Sequence, residues 1–290
     1  FVALIGRPNS GKSTLMNAII GENLSVVTSL PQTTRTLING IYTHQNTQIV
    51  FVDTPGMHQG KYRLNKTMLA GGIRIIKDEG IDIVGYIVDI SRPWGEEEDI
   101  VYQNVSAFTK KRLIVFNKID LCENPETSIE SFYTRYPATK EWTSVALSAL
   151  APQAGKEFLQ AINSFVPEGP FHYPVADISD ADLRFFTAES IRKEVIHLSS
   201  QEVPHACAIE IIEYNEKPKC HKVQAAIHVE TRGQKGIIIG NKGANIKIIQ
   251  KKASRSMYQM VGIPFRISCY VTVTPKWRDN PIFLSKIGFD

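Results

Sequence analysis

The sequence predicts an α/β chain in which a mostly parallel sheet with helices on both faces is followed by a smaller α+β unit. Three observations predict it. From residue 1 to about 165, short apolar runs alternate with amphipathic segments, the pattern of strands joined by crossover helices. A stretch holding Pro167, Gly169, Pro170 and Pro174 then interrupts any helix or central strand. Beyond it come helical spacing, alternating strands and a second long helix. The expected divisions are a domain over 1–166, a linker over 167–182 and a second domain over 183–290.

In the first part, residues 1–5, 49–52, 83–88, 112–116 and 144–147 read as strands. The run Glu96-Glu97-Glu98-Asp99 reads as the acidic first turn of a helix, where the macrodipole favours negative charge. After the linker, Asp180–Ser199 reads as a helix, with Leu183, Phe186, Ile191, Val195 and Leu198 near helical spacing. Strands over 205–213, 223–230 and 265–273 and a helix over about 242–260 complete the second part.

Composition bounds the function. With 290 residues, 43% hydrophobic and 21% charged, the chain has the make-up of a globular protein of one or two domains. No apolar run approaches the roughly 18 residues that span a bilayer. The chain opens inside a strand-like run with no basic segment before it, which suggests a soluble protein lacking a few native N-terminal residues. Cys122, Cys207, Cys220 and Cys269 are dispersed, arguing against a disulfide framework or a zinc site and for a reducing, cytoplasmic setting. The net charge of +4 is unevenly spread: 16 basic against 17 acidic residues up to residue 170, and 17 against 12 beyond it.

Directly after the first strand comes Gly6-Arg7-Pro8-Asn9-Ser10-Gly11-Lys12-Ser13-Thr14, the G-x-x-x-x-G-K-S/T phosphate loop in its required strand, loop, helix setting. Its glycines let backbone N–H groups turn inward on phosphates, Lys12 reaches the β and γ oxygens, and Ser13 offers a hydroxyl to Mg2+. Gly6, Asn9, Ser10, Gly11, Lys12, Ser13 and Thr14 are the expected nucleotide contacts. Asn117-Lys118-Ile119-Asp120 follows the apolar run Leu113–Phe116, at a strand end where open α/β sheets bind ligands. There the Asp120 carboxylate can accept both the N1–H and the 2-amino hydrogens of guanine, a donor pair that adenine lacks. Asn117 would brace the loop, Lys118 would lie over the nucleotide, and Ser148-Ala149 could present a backbone N–H to guanine O6.

Asp53-Thr54-Pro55-Gly56 follows Ile49–Val52 and puts a carboxylate beside the Mg2+ shell and the Gly56 N–H near the γ-phosphate. Pro31-Gln32-Thr33-Thr34-Arg35 supplies a threonine that γ-phosphate and Mg2+ can order, the usual switch physics of GTPases. Thr34 is the expected ligand, with Thr33 as the fallback, so Ser13, Thr34 and Asp53 form the metal set and Lys12, Thr34 and Gly56 the catalytic one. Met57 stands where a water-positioning glutamine would be expected, and a thioether cannot orient water, so unassisted hydrolysis should be slow. His58 reads as a solvated loop residue.

From Thr231 to Arg278 there is no acidic residue, while Arg232, Lys235, Lys242, Lys247, Lys251, Lys252, Arg255, Arg266, Lys276 and Arg278 are basic. Such a one-sign field is the footprint of nucleic-acid binding. Within it, Ile237-Ile238-Ile239-Gly240-Asn241-Lys242-Gly243 and the amphipathic segment after it form the core of a KH module. Its G-x-x-G loop allows a single-stranded backbone close approach. Strands before as well as after that core indicate the type II arrangement. Arg232, Lys235, Gly240, Asn241, Lys242, Gly243, Lys247 and Lys251 are the expected RNA contacts. Ile237, Ile238, Ile246 and Ile249 would mostly build the core and partly floor a groove for bases.

On the phosphate loop, Pro31 to Arg35, Asp53 to His58, Asn117 to Asp120, the junction Arg184 to Arg192 and Ile239 to Gly243, the chain resembles the Era family of bacterial GTPases. The resemblance covers nearly the whole length. It implies a P-loop GTPase domain joined to a C-terminal type II KH domain, using GTP/GDP and Mg2+, with K+ held through Asn9 as a further expectation. It implies a cytoplasmic monomer that binds the 3′ end of 16S rRNA, assists assembly of the 30S ribosomal subunit and is compatible with peripheral contact at the inner membrane. Two departures stand out: Ser10 replaces a small apolar residue, and Ser148-Ala149-Leu150-Ala151-Pro152 lacks the customary glycine. Competing readings are an RNA-binding scaffold with a merely structural nucleotide site, and a P-loop kinase or ATPase, which Asn117 to Asp120 opposes.

Overall fold

The computed structural model describes residues 1–22, 24–25, 35–57, 62–198, 203 and 206–289. Thr33, Thr34 and His58 lie outside the described residues. The chain divides into two units, Phe1–Lys61 with Asn65–Asp180 and Tyr62–Leu64 with Ala181–Asp290.

The first unit runs β1 (Val2–Ile5), α1 (Lys12–Ile20), β2 (Ile38–His44), β3 (Thr47–Asp53), α2 (Arg63–Ile76), β4 (Ile83–Asp89), α3 (Glu96–Ser106), β5 (Lys111–Asn117), α4 (Pro125–Arg135), β6 (Thr143–Leu147) and α5 (Ala154–Ile162). The sheet order is β2-β3-β1-β4-β5-β6, with β2 antiparallel to β3 and the remaining neighbours parallel. Strands β1 and β4 are buried along their whole length, as a sheet covered on both faces requires. Because β1 sits between β3 and β4, the chain reverses direction across the sheet at β1. A crevice therefore opens at its C-terminal end, where a ligand is expected in this kind of sheet. Residues 6, 54, 90, 118 and 148 all follow directly on strands at that edge.

Strand β2 was not expected. Its segment Ile-Asn-Gly-Ile-Tyr-Thr-His alternates only weakly, and the turn to β3 passes through Gln45 in the left-handed region (φ 50°), without a glycine to signal it. The sheet-edge position of β2 explains why half its side chains are partly exposed.

The segment expected as a linker is bound into the first unit as far as Asp180. The Ile41 N–H donates to the Ile178 carbonyl (2.9 Å), and Gly40 bridges Ser179 in antiparallel fashion. Ser179 Oγ donates to the Asn39 carbonyl at 2.7 Å, and Asn39 Nδ2 donates to Asp180 Oδ2 at 2.6 Å. Gln48 Oε1 accepts from the His172 and Tyr173 N–H groups, and its Nε2 donates to the Tyr173 carbonyl.

The second unit runs α6 (Leu183–Leu198), β7 (Ala208–Asn215), β8 (His221–Val229), α7 (Arg232–Ile239), α8 (Ala244–Val261), β9 (Phe265–Val273) and α9 (Pro281–Lys286). Its sheet is β7-β8-β9, the first pair antiparallel and the second parallel. Helix α6 starts later than the sequence suggests because the Asp182 side chain accepts from the Phe185 N–H (2.8 Å) as a cap. The helix expected over 242–260 begins at Ala244, since Gly240, Lys242 and Gly243 all have positive φ and break it from α7. Trp277 anchors this core, fully buried, its indole N–H donating to the Ala206 carbonyl at 2.9 Å.

Candidate nucleotide site and nucleic-acid interface

The loop Gly6–Gly11 leaves β1 and turns into α1 through Asn9 (φ 61°) and Gly11 (φ 100°), so its amides curl around the helix N-terminus. Gly11 has no room for a side chain: a Cβ there would lie 2.0 Å from Asn117 Nδ2. Asn117 joins two loops, donating from Nδ2 to the Ser10 carbonyl (2.7 Å) and accepting the Ala149 N–H on Oδ1 (2.8 Å). The turn beyond Ala149 closes without glycine, through an Ala151 N–H to Ser148 carbonyl bond of 2.8 Å. Ser148 and Ala149 are buried, whereas Asp120 is exposed on its short 3-10 turn.

Lys12 is buried and folds back on the loop, donating to the Gly6 and Arg7 carbonyls at 3.2 and 2.9 Å. Burial pulls its pKa down to about 8, with Asp53 opposing that shift. Ser13 Oγ donates to Asp53 Oδ2 at 2.6 Å. Hydroxyl and carboxylate oxygens together are the hard donor set that Mg2+ takes, and these two residues fit it.

Gly56 is pressed against the phosphate loop, where a Cβ would sit 2.5 Å from Pro8 Cα. The next residue, Met57, donates its N–H to the Gly6 carbonyl (3.1 Å), and its side chain is fully buried in the apolar cluster with Ile76, Val84 and Tyr86.

Four residues to which sequence reasoning assigned no part in this site, Asp89, Arg92, Glu98 and Ser25, pack around it. Asp89, fully buried at the end of β4, accepts from Lys118 Nζ at 2.7 Å and from Ser91, and pairs with Arg92 Nε at 2.8 Å. Burial works to raise its pKa, but the hydrogen bonds from Lys118 and Ser91 outweigh it and hold the carboxyl below its usual value. Arg92 also donates to the Pro8 carbonyl at 3.0 Å. Glu98 lies in the first turn of α3 as expected, but it is also buried, paired with Arg7 Nε at 2.5 Å and accepting from the Tyr86 hydroxyl at 2.6 Å. Ser25, the fourth, donates to Asp53.

In the second unit the G-x-x-G loop is held by Asn245, whose Nδ2 donates to the Ile237 carbonyl at 2.8 Å. Helix α7 starts with a capping box in which Thr231 and Gln234 satisfy each other's backbone N–H groups. Arg232, Asn241, Lys242, Lys247 and Lys251 are exposed, and Lys235 is half-buried. Lys247, Lys251 and Arg255 recur at i, i+4 and so line one face of α8. The four isoleucines divide: Ile238 and Ile249 are core, Ile246 is half-buried, and Ile237 is 49% exposed beside the loop.

A phosphate loop tied through Asn117 to the Ala149 loop, followed along the chain by a basic G-x-x-G unit, defines a P-loop GTPase carrying a KH domain. Family models agree, that of a 50S ribosome-binding GTPase matching residues 1–118 and that of a KH domain matching residues 202–278. The chain belongs to the Era family of GTPases. GTPase Era of Thermosipho melanesiensis is 37% identical over 99% of this chain and 96% of its own length, and that of Leuconostoc citreum 37% identical over 100% and 96%. The crystal structure of a point variant of Aquifex aeolicus Era bound to GDP.AlF4- matches with a TM-score of 0.93 at 30% identity, covering 99% of this chain and 98% of that one. Era in complex with MgGDPNP and nucleotides 1506–1542 of 16S ribosomal RNA matches equally, at 0.93 and 30%, covering 99% and 97%.

Proposed function

We propose that this chain is a GTP-hydrolysing switch that binds the 3′ end of 16S rRNA and assists assembly of the 30S subunit. Its GTP-binding domain would span residues 1–166 and its RNA-binding domain residues 183–290, with 167–182 leading from one to the other while folded onto the first as far as Asp180. The observation that carries the reading is the Asn117 brace, which ties the phosphate loop to the Ala149 loop and leaves Asp120 open to a base. Support for the RNA target comes from the related Era bound to 16S nucleotides 1506–1542.

In this reading Gly6, Asn9, Ser10, Gly11, Lys12, Ser13 and Thr14 wrap the phosphates, and Asp120 accepts the guanine N–H pair. Lys118 covers the base, held by Asp89, and Ala149 with Ser148 meets guanine O6. Ser13, Asp53 and Thr34 serve Mg2+, which when bound neutralises phosphate charge, and the Gly56 N–H faces the γ-phosphate. The Met57 side chain is turned into the core, away from any attacking water, so unassisted hydrolysis should be slow. Asn9, in the left-handed region of the loop, is the residue proposed to hold K+. Equal turnover in K+ and Na+ would remove that role. Arg232, Lys235, Asn241, Lys242, Lys247 and Lys251 meet RNA phosphates, and Gly240 and Gly243 let the strand approach. The protein would act as a cytoplasmic monomer, with any inner-membrane contact peripheral.

Lys12 sets a pH dependence. Only its ammonium form pairs with phosphate, and in the free protein that form is lost above about pH 8. Nucleotide must then recruit a proton on binding, so GDP affinity should fall by up to about tenfold per pH unit above that point. Titrations with a fluorescent GDP at pH 7, 8 and 9 measure this; Lys12→Arg should flatten the profile, and a flat wild-type profile would contradict the assignment.

The function itself is tested by binding to a 3′-terminal 16S oligonucleotide with GDP and with a non-hydrolysable GTP analogue, across a salt series. Tighter, sequence-selective binding in the analogue state, weakening with salt, is expected. Equal binding in both states would favour the scaffold reading.

A further inference from the structure

The segment after α1 doubles back along it. Gly21 (φ 83°) ends the helix in a left-handed turn, and the chain returns Ser25 to a position beside Asn17, one helical turn past Ser13. The Asn17 side chain brackets the Ser25 backbone from both sides: its Oδ1 accepts the Ser25 N–H at 3.0 Å and its Nδ2 donates to the Ser25 carbonyl at 2.9 Å. Ser25 is 4% exposed, and its hydroxyl donates to Asp53 Oδ2 at 2.8 Å. The same carboxylate oxygen accepts from Ser13 Oγ at 2.6 Å.

A buried serine could simply find the nearest acceptor. Here, however, the acceptor is shared with Ser13, and the backbone that carries the hydroxyl is fixed by a third side chain on the same helix as Ser13. We infer that Ser25 is a positioning residue of the Mg2+ centre, aiming the Asp53 carboxylate through a hydroxyl whose own position Asn17 sets. This rests on the reading of Ser13 and Asp53 as the residues that serve Mg2+. When Ser13 offers a lone pair to the cation, its hydroxyl hydrogen still points to Asp53. Ser25 is then the second donor that keeps the carboxylate from rotating away. Residues that orient a metal's ligands typically change metal affinity by about 10 to 100-fold when removed.

The test follows release of a fluorescent GDP from the full chain as Mg2+ is titrated from zero to 10 mM, on the order of the concentrations used for weak divalent sites. For Ser25→Ala the Mg2+ concentration that half-suppresses release should rise by about tenfold, while release in EDTA matches the wild type. Ser25→Thr, which restores a hydroxyl, should return the midpoint to within about twofold of wild type. If Ser25→Ala does not fold, Asn17→Ala, which frees the Ser25 backbone, should show the same displaced midpoint. An unchanged midpoint, or release accelerated equally with and without Mg2+, would overturn the inference and leave Ser25 a packing residue. Asp53→Asn separates the underlying reading: it should abolish the Mg2+ effect on release. If Asp53→Asn keeps that effect, the metal assignment itself fails; if it abolishes the effect while Ser25→Ala leaves the midpoint in place, only the role of Ser25 fails.

Discussion

Asn117→Ala should lower affinity for both GTP and GDP by about 100-fold or more. The side chain is 1% exposed and makes two bonds to backbone groups of different loops, to the Ser10 carbonyl and from the Ala149 N–H. Truncation leaves both groups buried and unpaired, at about 1 to 3 kcal/mol each, and opens a void against Gly11, whose approach the amide has shaped. Two such losses together span about 2 to 6 kcal/mol, a range that covers the roughly 2.7 kcal/mol that a 100-fold change in affinity represents. Asn117→Asp is the informative companion. It keeps the acceptor for Ala149 but turns an oxygen on the Ser10 carbonyl, so it should bind nucleotide no better than the alanine variant. Titration calorimetry of GDP reads both, and full affinity in the aspartate variant would show that bracing the phosphate loop contributes nothing.

Gly240→Ala should lower affinity for the rRNA oligonucleotide by about 30-fold or more while leaving GDP affinity within about twofold of wild type. At φ 73° and ψ 176°, Gly240 occupies backbone space that is essentially closed to other residues. A Cβ would also lie 2.6 Å from Asn245 Cγ and 2.9 Å from the Asn245 N, atoms that cannot move away together without releasing the bond to Ile237. The loop must shift, and with it the surface next to Lys242. Fluorescence anisotropy of a labelled oligonucleotide reads the loss; retained affinity would remove Gly240 from the interface.

What was legible in the sequence was what local backbone chemistry writes. The phosphate loop needs glycines and a lysine at fixed spacing after a strand, and Asn117 to Asp120 needs an apolar run before it. The G-x-x-G needs helix formers on both sides. Each of these is a short, contiguous signature, and each was placed correctly on its element.

The parts that were not legible depend on residues far apart in the chain. Arg7 and Glu98 meet across 91 positions, and nothing near Glu98 distinguishes it from Glu96 or Glu97 except that the fold buries it. Asp89 ends an apolar run like many strand-terminal carboxylates, and only the structure brings Lys118 and Arg92 to it. Strand β2 was missed because an edge strand with mixed exposure carries half a pattern. The proline-rich segment read as an open connection because proline and glycine report what a backbone cannot do. They do not report which neighbouring strand will accept its remaining hydrogen bonds.

That segment has a consequence for the exposed edge of the first sheet. An edge strand offers a row of unpaired N–H and C=O groups on which another chain can polymerise. On β2 the Ile41 N–H is already taken by the Ile178 carbonyl and the Asn39 carbonyl by the Ser179 hydroxyl, while the Asn39 side chain reaches out to Asp180. Pro167, Pro170 and Pro174, upstream in the same segment, each lack the N–H that a further strand would need. The connection between the two halves of the chain thus also caps part of one edge of the sheet, occupying groups that a further strand would need.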